Sequence, residues 1–279
     1  MILRAVLLLL VATLAFCSYV YYANARLLDH RYPVVASPIP SAAGADAVER
    51  GRRLAAVTGC TDCHAEDLRG KLFIDEGWLH GRIYSANLVL KAKHYSDEDF
   101  SRLVRLGVRP DGRGVNVMPS MGFVRLTDEE MADIVAFVRS LPAGGTEQPD
   151  HFIGPLDQWA LWRGQLKPAI AYLEGERAKQ LPEAGAEHAA ARHLVGIVCV
   201  ECHSGDLKGN GWDSGAPDLA VARAYSLDAF RKLLRTGTAV GDRQLGLMST
   251  VARDRLHHLS DEQIAGIHAY LLAYAGMAR

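Results

Sequence analysis

The pentapeptide Cys60–His64, CTDCH, occurs a second time as Cys199–His203, CVECH. No other feature of the chain limits its fold as tightly. Cys-x-x-Cys-His is the attachment signature of a c-type haem. Two thiols add to the two vinyl groups of the porphyrin, and the two intervening residues set the span between them. The histidine that follows carries its imidazole to the iron as proximal ligand. A lone Cys-x-x-Cys pair also suits half a zinc site or a redox dithiol. The adjoining histidine favours haem, and so does the second copy, since each copy opens a similar run of about 80 residues. Cys60, Cys63, Cys199 and Cys202 are then the covalent attachment points of two haem c groups, with His64 and His203 on the two irons. The fifth cysteine, Cys17, lies in an apolar run without a partner, so no disulfide is expected.

Between Ala5 and Ala25 there is no charged residue, and Leu7–Leu10 is unbroken leucine. A membrane-crossing helix needs about 20 such residues, whereas a cleaved signal peptide has an apolar stretch of about 7–15. Residues 1–25 therefore read as an uncleaved anchor. The rival is cleavage after Ala23-Asn24-Ala25, which fits a small-x-small pattern. Tyr19, Tyr21 and Tyr22 suit the outer interface. The formal net charge of −1 gives no reason to expect nucleic acid as a partner.

Residues 26–44 hold Pro33, Pro38 and Pro40 and read as a stiff, extended tether. The first domain spans 45–142. Ala47–Thr58 reads as a helix running into Cys60, followed by a long irregular stretch through Gly77, Gly81 and Asn87. Ser96 with Asp99 marks the start of a helix that ends at Gly107. The loop RPDGRGVNVMPSMG follows, then a capping box at Thr127-x-x-Glu130. Behind it Met131, Ile134, Val135 and Val138 share one buried face. Residues 143–186 form a connector. Its apolar run, Leu156 to Leu166, is expected to pack across the two domains; the alternative is a patch on the membrane surface.

The second domain, 187–279, repeats the first. Leu68 and Gly70 recur at the displacement of the cysteines as Leu207 and Gly209. Tyr95, Ser96, Phe100, Leu103 and Gly107 recur as Tyr225, Ser226, Phe230, Leu233 and Gly237, and Ser260-x-x-Gln263 is a further capping box. The first copy has extra residues between its haem motif and its middle helix; the second has extra residues before its last helix. His268 replaces Val135 and reads as a packed histidine. A methionine sulfur opposite each histidine makes a six-coordinate haem suited to passing single electrons. The displacement of 130 that relates the middle helices carries Met118 onto Met248 but Met121 onto Val251. Met118 and Met248 are therefore the expected axial ligands, with Met121, and His257 or His258, in reserve.

These residues resemble the class I cytochrome c fold in two tandem copies, an all-α architecture following an N-terminal transmembrane helix. The resemblance rests on CTDCH, VMPSMGF…LTDEEMADIVAFVRSL, CVECH and GLMSTVARDRLHHLSDEQIAGIHAYL, and covers 45–142 and 187–279. Among such proteins the chain is similar to the membrane-tethered cytochrome c subunits that serve periplasmic dehydrogenases and terminal oxidases. Those dehydrogenase subunits carry three haems, against two attachment motifs here. The resemblance implies a small residue of the first helix against an aromatic of the last: Gly51 with Phe137, and Ala190 with Tyr270. It also implies a proline carbonyl that accepts from the proximal histidine. Pro217 fits that role, but Ala86 stands in its place in the first copy. Maturation of such motifs outside the cytoplasmic membrane implies a single-pass protein of the inner membrane with its haem domains in the periplasm.

The function expected is single-electron transfer between a periplasmic donor and a respiratory acceptor, the partners being a dehydrogenase, another cytochrome or a terminal oxidase. The rivals, a dihaem peroxidase and a haem-based sensor, need an open iron, which matched methionines argue against. Arg102, Arg105 and Arg109 lie three and four apart and read as a solvated helix face, or else as a docking or propionate-binding stripe. Arg82, Tyr84, Trp78 and Trp212 are further propionate candidates.

Overall fold

A computed structural model describes residues 1–209 and 215–277. The chain is 58% helix and 7% strand, so the short strands are additions to an all-α plan. The N-terminal helix, Ile2–Leu28, is the one helix among the described residues long and apolar enough to cross a membrane, with a mean hydropathy of 2.2 over its most apolar window. At 1.5 Å per residue it is about 40 Å long, more than the roughly 30 Å of hydrocarbon it would have to cross.

Each of the two domains packs an entry helix across a closing helix. In the first, Ala45–Val57 crosses Asp128–Ser140. Gly51 makes the crossing possible, because a Cβ there would lie 1.9 Å from the Asp133 carbonyl oxygen. Arg50 adds a two-pronged ion pair to Asp133, at 2.7 and 2.8 Å. In the second, Ala189–Val198 crosses Asp261–Met277. Here Ala190 is exposed, and Ala191 is the residue that meets Gly266. The small-residue register is thus one position later than the resemblance implied. Tyr270 instead packs by His188 and donates its hydroxyl to the Pro182 carbonyl at 2.9 Å.

The middle helices, Asp97–Leu106 and Leu227–Thr236, start on Ser96 and Ser226, whose hydroxyls accept from backbone amides three residues on. Both stop at a left-handed glycine, Gly107 at φ 67° and Gly237 at φ 72°, a conformation that costs glycine nothing. Thr127 with Glu130 and Ser260 with Gln263 make reciprocal bonds at the heads of the closing helices. His268 is buried, lies by Phe230 and donates Nε2–H to the Tyr225 carbonyl at 2.9 Å. It is a core residue.

The stretch after the first haem motif is more ordered than its glycines suggest. Leu72–Asp75 and Gly81–Tyr84 form an antiparallel hairpin, and Phe152–Ile153 from the connector adds a third strand. The helix runs to Leu28, into the expected tether, and residues 30–43 carry no helix and lie along the first domain. The Tyr32 amide donates to the Gly112 carbonyl at 2.8 Å, and buried Ser37 meets Ser101 at 2.7 Å between hydroxyls.

The apolar run of the connector does not pack across the two domains. Its helix, Pro155–Trp162, lies against the N-terminal helix. Phe16 sits edge-on to Trp159 and Trp162, at 6.0 and 5.5 Å between ring centroids, and Tyr19 meets Trp162 at 6.5 Å. The Asn24 amide donates to the backbone and side-chain oxygens of Gln158. The domains themselves interlock through aliphatic side chains. Val57 of the first joins the core of the second, and Ile197 of the second joins the core of the first.

Candidate haem sites

Each Cys-x-x-Cys-His forms about one helical turn, Cys60–His64 in the first copy and Val200–His203 in the second, with Cys199 just before it. Beyond each histidine the chain turns back through three left-handed residues. These are Ala65, Leu68 and Gly70 in one copy (φ 68°, 55° and 76°) and Ser204, Leu207 and Gly209 in the other (φ 65°, 63° and 83°). A left-handed non-glycine costs about 1–2 kcal/mol. Each turn has two such residues, and the full burial of Leu68 and Leu207, worth about 1.5–3 kcal/mol for a leucine, offsets part of the cost.

The reversal brings a second segment onto the histidine. The Leu88 amide donates to the Leu68 carbonyl at 2.8 Å, and the Leu219 amide to the Leu207 carbonyl at 2.9 Å. Gly70 and Gly209 let that segment approach: a Cβ on them would lie 2.3 Å from the Ser85 oxygen and 2.2 Å from the Ala216 oxygen. The next carbonyl in each segment faces the imidazole. His64 donates Nδ1–H to Ala86 at 2.8 Å, and His203 donates Nδ1–H to Pro217 at 2.9 Å. The departure from proline at Ala86 leaves the acceptor intact, because a carbonyl is common to every residue. Burial pushes the His64 pKa below its ordinary value, against the upward pull of the Ala86 bond. Burial thus favours the neutral ring, the form that can ligate a metal, and with Nδ1–H bonded to Ala86 the nitrogen that could do so is Nε2.

A cleft opens in the first domain. Cys60, Cys63, His64 and Met118 all line it, among apolar side chains such as Leu68, Phe100 and Val138. Burial raises the Cys60 thiol, and it raises the Cys63 thiol to about 11 and the Cys199 thiol to about 12. A redox dithiol or zinc site works by the opposite shift, toward thiolate. Neutral thiols beside a neutral imidazole, in an apolar cleft that also holds a thioether, fit a covalently attached haem.

Met121 is buried in the turn Ser120–Phe123 and stays out of the cleft lining; Met131 lines it from the closing helix but is fully buried in the core. Met248 lies in the helix Leu247–Asp254, packed against the second core. His257 and His258 pack on one another at 3.8 Å in the turn that follows. Trp212 falls outside the described residues.

The arginine stripe of the middle helix is occupied. Arg102 is buried and paired with Asp99 and Glu98. Arg105 reaches Asp128 at 2.5 Å and the hydroxyls of Ser37 and Ser101. Arg109 lies beyond the helix, which ends at Leu106. Arg82 donates to Asp75 at 3.1 Å, and neither it nor Tyr84 nor Trp78 lines the cleft.

Sequence reasoning passed over one group. Asp62 and Glu201 occupy the same place in the two motifs, directly before the second cysteine. Arg255 bridges them, Nε to Asp62 at 2.6 Å and Nη1 to Glu201 at 3.0 Å. The signal was the repeated acid and the longer segment before the last helix of the second copy, which holds Arg255.

Comparison with known proteins agrees. The cytochrome c family model matches residues 48–142 and again 183–274. The chain is 27% identical over 271 residues to the fructose dehydrogenase cytochrome subunit of Gluconobacter japonicus, covering 84% of this chain and 54% of that protein. It is 27% identical over 267 residues to the cytochrome c subunit of alcohol dehydrogenase (quinone) of Gluconobacter oxydans, covering 80% of this chain and 54% of that one. It is 28% identical over 261 residues to the gluconate 2-dehydrogenase cytochrome c subunit of Pantoea cypripedii, covering 80% and 58%. The chain thus spans little more than half the length of these relatives. Two copies of the motif, the histidine–carbonyl pairs behind them and the doubled family match lead to one conclusion: the chain belongs to the cytochrome c family, whose members carry covalently bound haem c and transfer electrons.

Proposed function

We propose that this chain is a membrane-anchored dihaem c-type cytochrome. It takes single electrons from the catalytic subunit of a periplasmic dehydrogenase and passes them to a respiratory acceptor, either another cytochrome or a terminal oxidase. The observation that carries the reading is the recurrence, in both copies, of the cysteine pair with a carbonyl-anchored histidine. When bound, haem supplies a one-electron iron couple. Cys60 and Cys63 would hold one group and Cys199 and Cys202 the other. His64 and His203 would ligate from one side and Met118 and Met248 from the other. The apolar lining would keep water from the first group, and the Ala86 and Pro217 carbonyls hold the imidazole rings. Optical and magnetic spectra of the purified protein test this. Two low-spin, six-coordinate haems support it, whereas a five-coordinate, high-spin haem favours the peroxidase.

The donor class follows from the relatives, which are named as subunits of fructose, alcohol and gluconate dehydrogenases. Ile2–Leu28 supports an anchor in the cytoplasmic membrane with the haem domains on the periplasmic side. Trp159 and Trp162 meet Phe16 edge-on, and Trp162 also meets Tyr19; they would lie toward the outer end of that helix, at the interface, where tryptophan is favoured.

A further inference from the structure

Arg255 belongs to the second domain, yet it lines the cleft of the first, together with Glu201. Its guanidinium lies between the two haem-attachment turns, bonded to Asp62 of one and Glu201 of the other. The three side chains are only 17%, 21% and 24% exposed, so the group is largely removed from water. Gly59, directly before Cys60, makes room for it: a Cβ there would lie 2.4 Å from the guanidinium carbon. Gly122 of the first domain lies against Glu201, and a Cβ there would be 3.4 Å from that residue's own. Arg255 closes the helix Leu247–Asp254, with its amide bonded to the Val251 carbonyl at 2.8 Å. Met248 is the second residue of that helix.

Surface ion pairs contribute little, and a buried pair weighs desolvation against attraction. A largely buried arginine between two carboxylates is therefore a weak device for stability alone. Its placement fits another task. Both acids flank cysteines that attach haem, and one cation faces both. Without it, two carboxylates would stand near each other at the edges of both sites. Lysine would keep the charge but lacks the planar fork that reaches two acceptors at once.

We propose that Arg255 is a positioning residue for electron transfer between the two sites: it pins the two attachment turns against each other and offsets the two acids beside them. This rests on the dihaem reading given above. Uncompensated negative charge stabilises the oxidised, more positive iron, so removing the cation lowers potentials at both sites.

The test is a spectroelectrochemical titration of the full-length holoprotein, with haem per chain counted by mass, for wild type, Arg255→Gln and Arg255→Lys. Expected are two haems in each, both midpoint potentials of Arg255→Gln moved negative, and those of Arg255→Lys near wild type. The triple variant with Asp62→Asn and Glu201→Gln added to Arg255→Gln is expected to return both toward wild type. Potentials unchanged in Arg255→Gln, with two haems bound, overturn the inference and leave the dihaem reading standing. A wild-type chain with fewer than two haems overturns both. Should Arg255→Gln lose haem, Glu201→Gln alone decides: a positive shift at both sites supports the inference, and a shift at the second alone overturns it.

Discussion

His64 donates its Nδ1–H to the Ala86 carbonyl at 2.8 Å. The matching pair in the second copy, His203 to Pro217, differs by 0.1 Å from that, at 2.9 Å. What the fold preserves is the placement of a carbonyl, and the side chain that follows it is free to vary. The placement depends on Gly70, whose left-handed backbone and missing Cβ let the Ser85–Ala86 strand of chain come close.

Gly70→Ala is therefore expected to destabilise the first domain by about 2 kcal/mol or more, through a strained backbone and a displaced carbonyl. Gly175→Ala is the control. It lies exposed in the helix Ile170–Ala178 with open space around it, and should be neutral or stabilising by up to about 1 kcal/mol. Denaturant unfolding followed by far-UV and haem absorption separates the two. The histidine–carbonyl account further requires that Gly70→Ala disturb the spectrum of one haem and leave the other unchanged.

The axial assignments make a second prediction. Met118→Leu and Met248→Leu should each convert one of two haems from thioether ligation, with the other unaffected. Met121→Leu and Met131→Leu should change stability without changing ligation, because Met121 stays out of the cleft and Met131 is packed in the core. The absorption band characteristic of iron–sulfur coordination, read in the oxidised protein, decides each case.

The docking of the two domains should depend on pH. His193 of the second domain donates Nε2–H to Glu130 of the first at 2.9 Å. That bond raises His193 above its ordinary 6.5. Burial pulls Glu130 upward, but the bonds from His193 and the Thr127 amide outweigh it and leave the carboxyl below its ordinary 4.5. A raised histidine contributes fully below its unfolded pKa and loses that contribution as pH rises through the folded value. A lowered carboxyl contributes above its unfolded pKa and loses that contribution as pH falls through the folded one. The bond is therefore at full strength between about pH 4.5 and 6.5 and fades on the alkaline side. Proteolysis of the connector should speed up as pH rises above that window, and His193→Gln should flatten the dependence.

The capping boxes, the left-handed glycine stops and the doubled motif were legible in the sequence because each is a local bargain between a backbone and residues three or four away. Thr127 with Glu130 is such a case, as is Gly107. The three-stranded sheet was not legible, because Gly81–Tyr84 finds its last partner in Phe152–Ile153, far along the chain. The seat of Pro155–Trp162 on the N-terminal helix was hidden for the same reason, since an apolar stripe states that it is covered but not by what. Arg255 lay in plain view as one arginine among many. Only docking of the domains gives it Asp62 and Glu201.

The tryptophan pair yields a prediction of depth. With the full-length protein in liposomes carrying photoactivatable phospholipid, label should enter the peptide around Trp159 and Trp162 as well as the N-terminal helix. Label confined to the N-terminal helix would place the connector above the bilayer. Label on neither would remove the membrane from the account.

The most direct test is the mass of the denatured chain after expression in a host that matures c-type cytochromes. The account predicts polypeptide plus two haem groups, falling to one in Cys60→Ala/Cys63→Ala and to one in Cys199→Ala/Cys202→Ala. A chain that carries one haem, or weighs as bare polypeptide, would contradict it.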